Sequence, residues 1–299
     1  KLGISYRRLK KPKEAIVKLE SAIQVDPNNP TLAAELAGAY IADKQDPKAL
    51  ATVERLIFGN RFNAMAKSDQ ANLYQLAGKA LYNQKKMTDA RSRYEDALKR
   101  NQNEITIRMG LVQTINAQAF AAFKAKNSGE ATKLLNEAYA FDEKAPVTNQ
   151  NMALLAISEG RCDAAKKYLS RLKSSRSYAL MYRRLLARIY MCQTTPDPAK
   201  ALKEYEIAAK DSQNANLIRA EVYTEMAPLL LSTNLDDAIE KLETAVQFAG
   251  QSSNILPAAQ RNLAIALFRR GWQNMSAGDS AKAATDFEKA ARYPNVLKG

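Results

Sequence analysis

Leu2-Gly3-Ile4-Ser5-Tyr6, followed by Ala15, Leu19, Ala22 and Pro27, returns 34 residues later as Leu36-Ala37-Gly38-Ala39-Tyr40, followed by Ala49, Val53 and Leu56. The alanine ahead of the second apolar stripe can be followed along the whole chain as Ala15, Ala49, Ala90, Ala131, Ala165, Ala201, Ala238 and Ala283, with gaps of 34, 41, 41, 34, 36, 37 and 45 residues. Four and seven residues after each anchor stand further apolar positions, from Leu19/Ala22 through Tyr94/Ala97 and Leu135/Ala138 to Phe287/Ala290. That spacing is one face of a helix. A single helical hairpin has too little surface to bury such a face alone, so the copies must stack, and small residues at each crossing let two helix axes approach to about 8–10 Å.

The small-x3-large-x2-small pattern at a period near 34 resembles the tetratricopeptide repeat family. The resemblance implies an all-α, right-handed superhelical solenoid of antiparallel helix pairs. About eight repeats, and so about sixteen helices, are expected, in one array over residues 1–299. The family's crossing glycine is matched by Gly3, Gly78 and Gly271, and alanine takes its place at Ala37, Ala119, Ala153 and Ala187. Departures are visible too: only Pro27 and Pro294 sit near the family's terminal proline, and the first aromatic position is aromatic only at Tyr74. The chain starts at Lys1 without a methionine, in what the register makes the middle of a helix, so it is expected to be part of a longer protein.

The longer gaps predict where the array departs from its period. Seven extra residues are about two helical turns, so an insertion can lengthen a helix without turning its apolar face. Glu104 to Lys126 is expected to be one such long helix and Pro257 to Ala277 another. The stretch Phe58-Gly59-Asn60-Arg61 breaks the pattern ahead of Ser68, an expected N-cap.

The sequence offers little for catalysis. It has no histidine and no glycine-rich phosphate loop, and Asp236-Asp237 and Glu240/Glu243 read as a solvated helix face. No enzymatic activity, cofactor or metal site is therefore expected. An apolar run of about 18 residues, as a membrane span requires, is also missing from the sequence.

Binding is the remaining chemistry. In the family that the pattern resembles, the first helix of each hairpin lines the inner surface. Carried onto this chain, the partner-binding groove takes Asn72, Lys79, Tyr82, Gln113, Asn116, Phe120, Phe123, Gln150, Arg184, Arg188, Met191 and Trp272, together with Arg7, Ile41, Gln75, Leu154, Phe268 and Met275. Amides suit a peptide backbone and aromatics suit anchoring pockets. The carboxylate clamp of some members is not rebuilt, since Ala34 and Gly38 stand where lysine and asparagine would.

The net charge of +14 is uneven: residues 151–200 carry ten basic against three acidic groups, and residues 201–250 carry four against nine. This asymmetry predicts a protein or peptide partner with an acidic face, met by Arg184 and Arg188. The resulting expectation is a scaffold or adaptor, with a substrate-recruiting arm of a larger enzyme and a basic nucleic-acid-binding solenoid as alternatives.

Cys162 and Cys192, the only two cysteines, fall near the same type of intra-hairpin turn in adjacent repeats. They form either a disulfide or two separate thiols. A bond would place the protein in an oxidising compartment such as a bacterial periplasm or cell envelope.

Overall fold

The computed structural model describes residues 11–172, 178–212, 215–250 and 253–293. Among them are fifteen α-helices and no strand. The first expected helix, with Leu2, Gly3, Tyr6 and Arg7, lies outside the described residues, as does Pro294. The chain forms two compact units, residues 1–152 and 153–299, so the boundary falls inside the helix Pro146–Ser158.

The first unit holds α1 (Pro12–Val25), the pair α2 (Pro30–Ala42) and α3 (Asp46–Ile57), the pair α4 (Lys67–Asn83) and α5 (Met87–Arg100), the pair α6 (Ile105–Lys124) and α7 (Ser128–Phe141), and the start of α8 (Pro146–Ser158). Within the described pairs α2 packs on α3, α4 on α5 and α6 on α7, and α1, α3 and α5 each pack on the first helix of the next pair. Local sequence sets the boundaries. Pro12 and Pro30 open helices, where a missing N–H costs least. The Asn29 and Asn127 side chains accept from the amides of Leu32 and Glu130, which satisfies donors that the first turn leaves free. Ser68 is not an N-cap: α4 begins at Lys67, and Ala66 occupies the cap without a side-chain bond. The preceding break is filled by a 3-10 turn, Phe62–Ala64, that the Gln70 side chain holds by donating to the Phe62 and Met65 carbonyls, both at 3.0 Å.

The hairpin turns share one backbone solution. Lys44, Lys85 and Lys126 have φ of 60°, 65° and 59°, and the amide after each reaches back to Tyr40, Leu81 and Ala122 at 2.8–3.0 Å, a helix-ending motif that suits glycine. The corresponding turns after α8 and after the helix Leu256–Ser276 do carry glycine, Gly160 and Gly278. A lysine in the left-handed region costs about 1–2 kcal/mol. Lys44→Gly, Lys85→Gly and Lys126→Gly are therefore each expected to raise stability by about 0.5–1 kcal/mol once glycine's unfolded-state entropy is subtracted. The check is the urea midpoint at constant slope, and a lowered midpoint would contradict it.

The tightest crossing surrounds Tyr94 of α5. A Cβ added at Gly78 of α4 would lie 3.1 Å from its ring, and one added at Gly110 of α6 would lie 2.4 Å from it. The ring is thus seated between two glycines of successive first helices.

The second unit continues from α8 with α9 (Cys162–Ser170), α10 (Ala179–Cys192), α11 (Pro198–Asp211), α12 (Asn216–Thr233), α13 (Leu235–Ala249), α14 (Leu256–Ser276) and α15 (Ser280–Ala291). Its interior is a chain of small clusters, one per hairpin junction. Ala153 and Ala156 meet Ala165, Leu169, Leu185 and Ile189; Ala201, Tyr205 and Ala208 meet Val222 and Met226; Leu242 meets Leu263 and Leu267. All eight anchor alanines, Ala15 to Ala283, are 0–1% exposed, which close helix crossing requires.

Candidate interaction surface

In the first unit the first helices lie side by side: Gln75 of α4 donates to the Thr106 hydroxyl of α6 (2.8 Å), while Asn83 of α4 donates to Asp46 at the start of α3 (2.7 Å). Asn72 and Lys79 on α4 and Gln113 on α6 are exposed, and Ile41, Tyr82 and Gln150 are half-buried. Phe120 and Phe123, three residues apart on α6, are 46% and 37% exposed, with the Lys124 ammonium 4.8 Å from the Phe120 ring centre.

Asn116 departs from the expectation. It is buried, and its amide donates to the Val112 carbonyl and the Thr148 hydroxyl, both at 2.8 Å, while its oxygen accepts from Asn151 at 2.9 Å. Its polar capacity ties α6 to α8 instead of facing a ligand.

In the second unit the basic pair departs more sharply. Arg184 is 14% exposed and bonds Glu221 at 2.8 Å and Glu225 at 2.6 Å, while Arg188 bonds Glu225 at 2.9 Å. Glu221 and Glu225 stand on α12, four residues apart as the arginines are on α10, so two facing helices match charge for charge. Burial alone would lower the Arg184 pKa, but its bonds to Glu225 and Glu221 outweigh this and hold it above its ordinary value. Burial also pushes the neighbouring Tyr205 phenol up to about 12, with Glu225 adding to the rise and Arg188 opposing it. The basic block of residues 151–200 is therefore met partly by the acidic block that follows it. Leu154 and Met191 are half-buried against the core.

The last first-helix, α14, keeps an open apolar stripe. Phe268, Trp272 and Met275 are 42%, 54% and 44% exposed. Phe268 and Trp272 sit edge to face at 6.2 Å between centres, and Phe287 of α15 lies behind both at 5.6 and 5.9 Å. Such contacts fix ring positions, so the stripe is a preformed surface.

One apolar feature escaped the sequence reading. Ile105 and Met109, in the first turns of α6, are 69% and 52% exposed. They flank Phe141, beside a cleft of about 410 Å³ lined by Leu98, Arg108, Leu111 and Phe141. The 41-residue gap was the available signal: α6 runs to 20 residues against 17 in α4, just under one extra turn.

Cys162, the first residue of α9, and Cys192, the last of α10, are joined as a disulfide with Cα atoms 5.7 Å apart. No group of three or more metal-binding side chains occurs among the described residues, and no described helix is long and apolar enough to cross a membrane.

Tetratricopeptide repeat family models match residues 6–73 and 265–295. No curated protein matches the sequence. Among solved structures, the C-terminal part of a repeat-containing protein from Cytophaga hutchinsonii aligns with a TM-score of 0.58 at 12% identity, over 86% of this chain and 98% of that one. A tetratricopeptide repeat protein from Parabacteroides merdae aligns with a TM-score of 0.56 at 14% identity, over 89% and 96%. The human IFIT1 dimer with PPP-AAAA aligns with a TM-score of 0.52 at 18% identity, over 97% of this chain and 63% of that one. At these identities the likeness concerns the fold alone. Stacked antiparallel hairpins, buried anchor alanines and family-model matches near both ends together support a tetratricopeptide repeat protein.

Proposed function

We propose that the protein is a non-enzymatic scaffold that docks a protein or peptide partner through exposed aromatic stripes on its first-helix faces, Phe120/Phe123 on α6 and Phe268/Trp272/Met275 on α14. The observation that carries this reading is the α14 stripe. A tryptophan and a phenylalanine remain about half exposed while held in fixed edge-to-face geometry, and rigid aromatic anchors dominate binding energies in protein interfaces. The basic surplus favours an acidic flank on the partner. Lys79 is an exposed cation suited to that role; Arg184 and Arg188 already have internal carboxylates. A cell-envelope setting is part of the proposal and rests on the Cys162–Cys192 bond, since such bonds persist in oxidising compartments.

The test is selection from a displayed random-peptide library, counter-screened with Phe268→Ala/Trp272→Ala and with Phe120→Ala/Phe123→Ala. Peptides pairing an aromatic or aliphatic anchor with aspartate or glutamate should be enriched, and one or other double variant should weaken them tenfold or more, about 1.4 kcal/mol. Enrichment that both variants leave untouched, or tight salt-sensitive binding of single-stranded RNA in place of any peptide, would overturn the proposal.

A further inference from the structure

We infer that the Cys162–Cys192 bond is a redox-operated clasp: a dithiol reductant opens it, releasing α9 from α10 while the remainder of the second unit stays folded. Three observations converge here. First, α9 is the shortest of the described α-helices, at nine residues. Helices of fewer than about 12 residues are marginal without tertiary support. Second, its fully buried support is narrow: Ala165 and Leu169, with Leu172 just beyond, meet Leu185 and Ile189 of α10 and Ala153 and Ala156 of α8, and Ala164 and Tyr168 add only partly buried contacts. Third, the bond joins the first residue of this short helix to the last residue of α10, and both cysteines are partly exposed, so the bond lies at an edge open to solvent.

The helix on the other side of the clasp is anchored independently. Arg184 and Arg188 of α10 bind Glu221 and Glu225 of α12, and Arg183 binds Glu204 of α11 at 2.8 Å. Reduction therefore frees the weakly held partner and leaves the strongly held one in place. The chemistry is thiol–disulfide exchange. A thiolate of the reductant attacks one sulfur, a mixed disulfide forms and the other cysteine leaves as thiolate. The reductant's second thiolate then displaces the first cysteine. Two electrons and two protons pass to Cys162 and Cys192, and the dithiol becomes a disulfide.

Hydrogen–deuterium exchange on the whole protein tests this. The oxidised form is compared with protein reduced by dithiothreitol and then alkylated, and with Cys162→Ser/Cys192→Ser. Peptides spanning residues 159–172 should exchange at least tenfold faster after reduction. Those covering α11 to α15 should be unchanged, and trypsin should gain cleavage at Lys166, Lys167 and Arg171. If the double variant fails to fold, the reduced wild type still gives the reading. Unchanged exchange in α9 would overturn the inference by showing that packing alone holds the helix. Loss of protection throughout the second unit would overturn it by making the bond a determinant of global stability. Two free thiols in native protein purified under alkylation, with no bond formed on mild oxidation, would overturn it as well.

Discussion

Tyr94→Ala is expected to lower stability by about 3–5 kcal/mol, the range for deleting a buried aromatic ring, because Tyr94 is 5% exposed and fills the junction of α4, α5 and α6. The neighbouring glycines sharpen the prediction. Alanine is the better helix former by about 1 kcal/mol, so on propensity alone Gly110→Ala would stabilise α6. Sterically it cannot, because the added Cβ would fall 2.4 Å from Cε1 and 2.5 Å from Cζ of Tyr94. These are ring atoms, unable to move aside like the end of a flexible chain. A net loss of about 1–3 kcal/mol is expected from overpacking. Gly78→Ala, with its nearest contacts at 3.1 Å, should cost less. Gly110→Ala combined with Tyr94→Leu should cost less than the sum of the two single changes, because the variants share one cavity. Denaturant midpoints of the four proteins check this, and a raised midpoint for Gly110→Ala alone would show that the crossing can open.

The same ring makes stability sensitive to alkaline pH. Burial raises the Tyr94 phenol well above its usual range, with Tyr82 adding, and raises Tyr205 to about 12. The unfolded phenol titrates near about 10. A folded value above the unfolded one means that the contribution is fully present below about pH 10 and is lost as pH rises through the folded values. Tyr94→Phe should therefore lose less stability between about pH 10 and 12 than the wild type does.

How much of this could be read from the sequence depended on how far each interaction reaches along the chain. The anchor alanines, the helices at 105–124 and 256–276 and the break after Ile57 follow from periodicity within one helix or one repeat, and they stand where the pattern puts them. Gly110 was less legible. It lies nine residues before Ala119, the crossing position of its own repeat, and its purpose comes from Tyr94 of the preceding hairpin. Asn116 occupies a groove position by register but spends its hydrogen bonds on Thr148 and Asn151, 32 and 35 residues away. For Arg184 and Arg188 the block charge predicts an acidic partner outside the chain. Their partners were nonetheless present in the sequence, since Glu221 and Glu225 repeat the same four-residue spacing 37 residues later, about one repeat on. The match lies between equivalent faces of successive first helices, which net charge over blocks of fifty residues averages away. Exposure is the part that periodicity cannot supply: Phe120, Phe123 and Trp272 could have been interior, and only the packed neighbours show that they are open.

Arg270→Met is expected to destabilise the last hairpin by about 3–5 kcal/mol, the range for breaking a buried ion pair by removing one partner. Asp286 is 2% exposed, three residues after the anchor Ala283 and directly before Phe287, a core position where a carboxylate is costly. It is tolerated because Arg270 meets it with two bonds, Nε at 2.9 Å and Nη2 at 2.6 Å, and Asn274 donates a third at 3.1 Å. The arginine also reaches Asp236 at the start of α13 at 2.7 Å, tying the last two hairpins together. These bonds, that to Asp286 foremost, hold the guanidinium above its ordinary pKa. Without Arg270 the carboxylate keeps a single neutral donor. Lys282, in the same cleft, is engaged with Asp279 at 2.8 Å and is 74% exposed, so it is a poor substitute. The pair itself contributes little compared with well-packed apolar side chains of similar volume. Arg270→Met/Asp286→Leu should therefore recover most of the loss, and Asp286→Leu alone should lie between, because it leaves a partly exposed arginine that still has Asp236. Thermal and urea unfolding of the three variants decide the matter. A double variant as unstable as Arg270→Met would mean that Arg270 acts through its link to Asp236 and not by compensating the buried charge.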